Sequence, residues 1–165
     1  MSRGNPPKVF RPQRVIATLK KDARPAFALK GSVLARPEDV LEGLADYMGS
    51  RATELYLVLF IDVRNRVVGY SELSSGDVAS VTVNTAGIFR EALVSGAAAI
   101  LTVHQHPTGD ATPSSDDHHL WARLRAAGDL LGVPVLDNMV LGEGEYFSEQ
   151  EKFVRKFKMP AKEGG

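Results

Sequence analysis

"AAAILTVHQHPTGDATPSSDDHHLWARLRAAGDLLG", residues 97–132, changes its hydrophobic period halfway along. Its first ten residues, "AAAILTVHQH", form a continuous apolar run that suits a strand buried on both faces. Pro107 stops that strand, because it supplies no backbone N–H to a sheet ladder. From "PSSDDHHL" onward the apolar residues recur at helical spacing, with Ser114 as the cap and Gly132 near the end. A buried strand that passes through a short polar loop into a long helix is the unit of an α/β fold.

The same alternation extends outward from this unit. Downstream, "VPVLDNMVLG" and "EYFSEQ" read as strands, and the lysine-rich tail is expected to add a helical turn. Upstream, "NTAGIFREALVSG" reads as a helix capped by Asn84 or Thr85, and "ELYLVLFIDVRNRVVGYSEL" as two strands joined near "RNR". "RPEDVLEGLADYMG" reads as a helix with Pro37 early and Val40, Leu41, Leu44 and Tyr47 in one stripe. "RVIATLKK" suits a short strand or a helix. The expectation is a mixed sheet with helices on both sides.

Length and composition place the chain among single soluble domains. Its 165 residues suffice for a core without disulfides or a structural metal. Cysteine is absent, which excludes a disulfide framework, a Cys-ligated zinc and a thiol nucleophile. The longest apolar run, Leu55 to Ile61, is too short to span a bilayer, and "MSRGNPPKVFRPQ" has no apolar core of a secretory signal. A cytoplasmic protein is expected. The formal charge is zero, but residues 1–24 carry seven Lys or Arg against Asp22 alone. Residues 108–151 carry nine acids against Arg123 and Arg125. The expected organisation is a basic, flexible arm over residues 1–30, one domain over 31–158 and a flexible tail over 159–165.

All four histidines fall between positions 104 and 119. His104 and His106 are two apart on a strand, so their side chains leave the same face. Two imidazoles on one face can share a zinc ion, with a carboxylate such as Asp117 as third ligand and water as the fourth. An H-x-H pair alone is usually no ligand set. Ser114 with Asp117 three residues later also makes a capping box, and acids favour a first helical turn. On local grounds that reading is the commoner, and His118 and His119 read as helix-surface residues. Neither accounts for the pair, the tight loop and the aspartate in one stretch.

That combination resembles the JAMM (JAB/MPN-type) metallohydrolases, and within them the bacterial RadC-like branch associated by name with DNA repair. Their pattern is an upstream glutamate, H-x-H-P, a short loop and S-x-x-D. Here His104-Gln105-His106-Pro107 precedes "TGDATP" and Ser114-Ser115-Asp116-Asp117. The flanks "LVLFIDVRNRVVGYSELSSG" and "LLGVPVLDNMVLGEGEYFS" are similar too, so the likeness covers roughly residues 35–150. The resemblance implies a cytidine-deaminase-like three-layer α-β-α sandwich. It also implies a zinc held by His104, His106 and Asp117. Glu72, in "YSELSSG", would act as proton acceptor for the zinc-bound water, and Ser114 would hold the substrate carbonyl and the developing oxyanion. Apart from the resemblance, Glu72 is a hairpin-end glutamate of the kind usually solvated.

Three positions depart from the branch. Gln105 and Thr108 replace its usual Asn and Ser, and Asn138 follows "LD" where a histidine is usual. The segment before the core shows no match to the helix-hairpin-helix region of longer members. The implied activity is hydrolysis of a peptide or isopeptide bond in a protein substrate, with no membrane partner. The alternative is a DNA-associated accessory protein in repair or mobile-element biology, using the basic arm for weak phosphate contact. A zinc deaminase is excluded, since its H-x-E…P-C-x-x-C ligands need cysteine. A scaffold that has lost its ligands is disfavoured, since every ligand type is present.

Overall fold

The computed structural model describes residues 33, 34, 36, 39–41, 44, 47, 48, 54–74 and 83–157. The basic arm, "RVIATLKK" and the tail beyond 157 lie outside the described residues. Eight elements follow in order: β1 (Leu55–Ile61), β2 (Val67–Ser74), α1 (Thr85–Ser95), β3 (Ala99–Gln105), α2 (Ser115–Leu131), β4 (Val135–Leu141), β5 (Glu145–Ser148) and β6 (Phe153–Lys156). Before them, the described residues among 39–48 are helical, as the Val40/Leu41/Leu44/Tyr47 stripe requires.

One six-stranded sheet runs in the order β2-β1-β3-β4-β5-β6. β1 pairs antiparallel with both β2 and β3, whereas β3 and β4 are parallel. A parallel neighbour needs a crossover, and α2 supplies it. The apolar runs that defined β1 and β3 are buried at all seven positions of each strand. Both faces of the central sheet are therefore covered.

Alternation along β1 and β3 sorts the side chains into two cores. Leu55, Leu57, Leu59 and Ile61 join Ala99, Leu101 and Val103 against Val40, Leu41, Leu44 and Met48 of the N-terminal helical segment. Tyr56, Val58, Phe60 and Ile100 face the other way, towards Ile88, Phe89 and Ala92 of α1 and Leu124 of α2. The result is the α/β, three-layer arrangement expected from the sequence.

Local chemistry fixes the element ends. Asn84 caps α1 by accepting from the Gly87 N–H, and Gly96 closes it at φ 70° in the left-handed region. Ser114 and Gly132 do the same for α2. The tail differs from expectation. Residues 153–156 form strand β6, which pairs with β5, instead of a helical turn. Phe153 and Val154 favour extended backbone, and β5 offers an edge to bond. All four β6 residues are exposed. Among the described residues, no helix is long and apolar enough to cross a membrane.

Candidate metal centre

His104 lies on the face of β3 turned towards α1 and α2, because it pairs with Tyr56 across the sheet. The Tyr56 and His104 rings stack, with centroids 5.3 Å apart. Two residues on, His106 continues the same face at the strand end, just before Pro107 turns the chain away. The loop returns at Ser114, so that the first turn of α2 brings Asp117 back over both histidines.

The three side chains meet closely. The two histidine Nε2 atoms are 3.2 Å apart. Asp117 places Oδ1 2.9 Å from His104 Nε2 and Oδ2 3.4 Å from His106 Nε2. Donors about 2.0–2.1 Å from a zinc in a tetrahedral shell would be roughly 3.3 Å from one another. Two nitrogens and a carboxylate oxygen at these spacings are therefore a donor set that fits a small divalent cation. The cluster is also open on one side: the His104 side chain is fully buried, but those of His106 and Asp117 are 19% and 11% exposed. A water or substrate atom can approach there.

The supporting contacts aim these atoms. His106 Nδ1–H donates to the Asp110 carbonyl at 2.8 Å, which turns Nε2 towards Asp117. The Ser114 backbone N–H and hydroxyl both donate to Asp117 Oδ2, at 2.7 and 2.6 Å. The Asp117 N–H returns a bond to the Ser114 oxygen at 3.2 Å, completing the capping box. The cap and the metal-ligand readings of this motif thus coexist, since the cap is what orients the carboxylate. The loop itself is braced by Gly142, where an added Cβ would lie 2.5 Å from the Gly109 oxygen and 2.8 Å from the Ala111 nitrogen.

Charge follows the geometry. Burial alone would push the Asp117 carboxyl up. Hydrogen bonds to His104 and His106, the charge of His104 and the Ser114 hydroxyl outweigh it and hold the carboxyl well below the usual range. His106 is held above its ordinary value, chiefly by its bond to Asp117. Burial opposes this, while the Asp110 carbonyl and the charges of Asp117 and Glu54 support it.

Glu72 stands elsewhere. It pairs with Leu57, which belongs to the core on the opposite face of the sheet from His104. There its carboxylate accepts a hydrogen bond from the Tyr47 hydroxyl of the N-terminal helical segment. This register does not bring Glu72, expected to act on a zinc-bound water, to the face that holds His104, His106 and Asp117. Glu54 was missed in the sequence. It precedes β1 two residues before Tyr56, in phase with the residue that faces His104, and its charge acts on both His106 and Tyr56. Its signal was the alternate spacing from Tyr56, readable only once the β1–β3 register is known.

The sequence profile of the RadC-like JAB domain matches residues 34–154. The chain belongs to the RadC-like JAB family. A UPF0758 protein of Geotalea uraniireducens is 39% identical over 112 residues, 68% of this chain and 49% of that one. Another from Clostridium perfringens is 34% identical over 119 residues, 72% of this chain and 52% of its own length. One from Pelobacter propionicus reaches 41% over 101 residues, or 61% and 44% of the two chains. This RadC-like chain spans about half the length of the relatives it matches. His118, one residue after Asp117, meets the Trp121 ring edge-on at 5.2 Å. Asn138 is buried, accepts from Thr102 at 2.6 Å and donates to Glu149 at 2.6 Å.

Proposed function

We propose that this RadC-like domain is a zinc-dependent hydrolase of peptide or isopeptide bonds. The convergence of two imidazoles and one carboxylate at ligand spacing, beside an open approach, carries this reading. A zinc held by His104, His106 and Asp117 would supply a water acidified to a pKa of about 7 and would polarise a carbonyl.

The chain's own groups do the rest. His104, His106 and Asp117 hold the ion. Glu54, rather than Glu72, takes up a proton at its carboxylate and returns it to the leaving amine nitrogen. Ser114 has two tasks: its oxygen caps α2, and its hydroxyl, whose proton goes to Asp117 in the free chain, turns that proton to the substrate carbonyl when one is bound. Tyr56 and Trp121 wall the buried side of His104 with apolar ring surface and keep water to the open side.

Metal analysis of the purified chain tests the reading. About one zinc per chain is expected, with cleavage of a peptide or isopeptide substrate that a chelator abolishes. The pH dependence has a definite sign. Asp117 keeps the His106 proton bound to higher pH than usual, so zinc occupancy falls as pH drops from above the ordinary imidazole range. Undiminished zinc in a folded His104→Ala/His106→Ala variant would rule the site out.

A further inference from the structure

Beside the metal centre lies a cleft of about 760 Å3, lined by His118, Arg125, Phe147, Glu149, Gln150 and Lys152. Trp121 joins the two. Its ring is 6.3 Å from that of His104 and stacks on Phe147 at 5.9 Å, while His118 meets it edge-on at 5.2 Å. Two such ring spacings lie within reach of the third or fourth residue of an extended chain, at about 3.3–3.6 Å per residue.

The floor of the cleft is hydrogen-bonded and internally neutral. Glu149 accepts from Arg125 Nε at 3.1 Å on each oxygen, from Arg125 Nη2 at 2.6 Å and from Asn138 at 2.6 Å. Asn138 is in turn fixed by Thr102, two residues before His104. Arg125 and Glu149 thus answer each other's charge. Among the described residues no ion pair includes Lys152, so its ammonium is the uncompensated charge of the lining, with the His118 ring as a second donor.

Lys152 is also unusually placed. Its φ is 63°, in the left-handed region where glycine is cheapest, and its N–H donates to the Ser148 oxygen to close the β5–β6 turn. A side chain kept at a strained turn position is a signal of use. Lys152 directly follows the acidic segment 108–151, so any attraction for an anion is local to this rim.

We propose that the cleft receives a carboxylate of the polypeptide substrate, from an acidic side chain or a chain terminus. Lys152 and His118 bind it, and Phe147 lies under the adjoining methylenes. The word substrate rests on the peptidase reading; the binding chemistry does not.

Trp121 is the sole tryptophan, and its buried ring packs on Phe147 and His118 of the lining, so its fluorescence reports on the cleft through them. The titration uses the full chain carrying His104→Ala/His106→Ala, which cannot hold zinc or cleave. The probes are short alanine peptides, acetylated and amidated, with one central Glu, Gln or Lys. A fourth is the all-alanine peptide with a free terminal carboxylate. The Glu peptide should bind about tenfold tighter than the Gln peptide, as a charge-assisted bond would give. Lys152→Gly, which suits the backbone, should erase that preference. The fourth probe tells which source of carboxylate is preferred. Equal binding of Glu and Gln peptides, a preference that survives Lys152→Gly, or no response to any peptide would each overturn the proposal. Loss of peptidase activity as a hypothesis would change none of these outcomes.

Discussion

Two glutamates separate role from proximity in sequence. Glu54 is in phase with Tyr56 and the histidines, whereas Glu72 is bonded to Tyr47 on the other side of the sheet. Glu54→Gln should therefore retain zinc and fold while losing nearly all hydrolysis, commonly by about 10²–10⁴-fold for a general base. Glu72→Gln should keep turnover and lose only stability, since it weakens a tether to the N-terminal helical segment. Rate and melting measurements on both variants check this; the opposite pattern would return Glu72 to the site. Ser114→Ala should cost about 0.5–2 kcal/mol as a lost cap. As a lost donor it should also reduce kcat by roughly 10²–10³. A folded Ser114→Ala protein with wild-type kcat would leave the residue only its place at the helix end.

At the level of elements, the chain was legible wherever period and punctuation agreed. The run 97–132 gave β3, its stop at Pro107 and the capped helix α2, all from local rules. Register was not legible, because pairing depends on partners distant in sequence and a slip of one residue exchanges the faces of a strand. The motif that nominated Glu72 names a residue, not the face on which it pairs. The helical turn expected of the tail failed for a related reason: β6 exists because β5 presents an edge, which a local window cannot see. The loop between β3 and α2 depends on a similar distant contact. Gly142→Ala would press a methyl group onto the Gly109 and Ala111 backbone. It should destabilise the fold by about 1–3 kcal/mol, as overpacking does. It should also weaken zinc by shifting the Asp110 carbonyl away from His106. Calorimetric zinc titration of the folded variant measures the second effect, and unchanged affinity would mean the loop does not aim His106.

Across the whole molecule, one sheet divides stability from chemistry. The buried core under the N-terminal helical segment is apolar, mostly aliphatic with Tyr146, and the face under α1 and α2 carries Thr102, His104 and Asn138 among its apolar residues. Among the described residues the sheet ends at β6, a short exposed strand whose Phe153 ring lies beneath the Arg155 guanidinium at 4.7 Å. Arg155 also pairs with Glu151 at 2.8 Å. An uncovered strand is a template on which a second molecule can continue the ladder, and charged side chains are a common protection. Arg155 and Lys156 therefore act as gatekeepers of colloidal behaviour. Arg155→Thr with Lys156→Thr should leave the fold and zinc content intact but make concentrated solutions scatter light sooner. If turbidity is unchanged, the protection lies elsewhere along the border. In that sense, two basic side chains remote from the metal set how densely this protein can be held in solution.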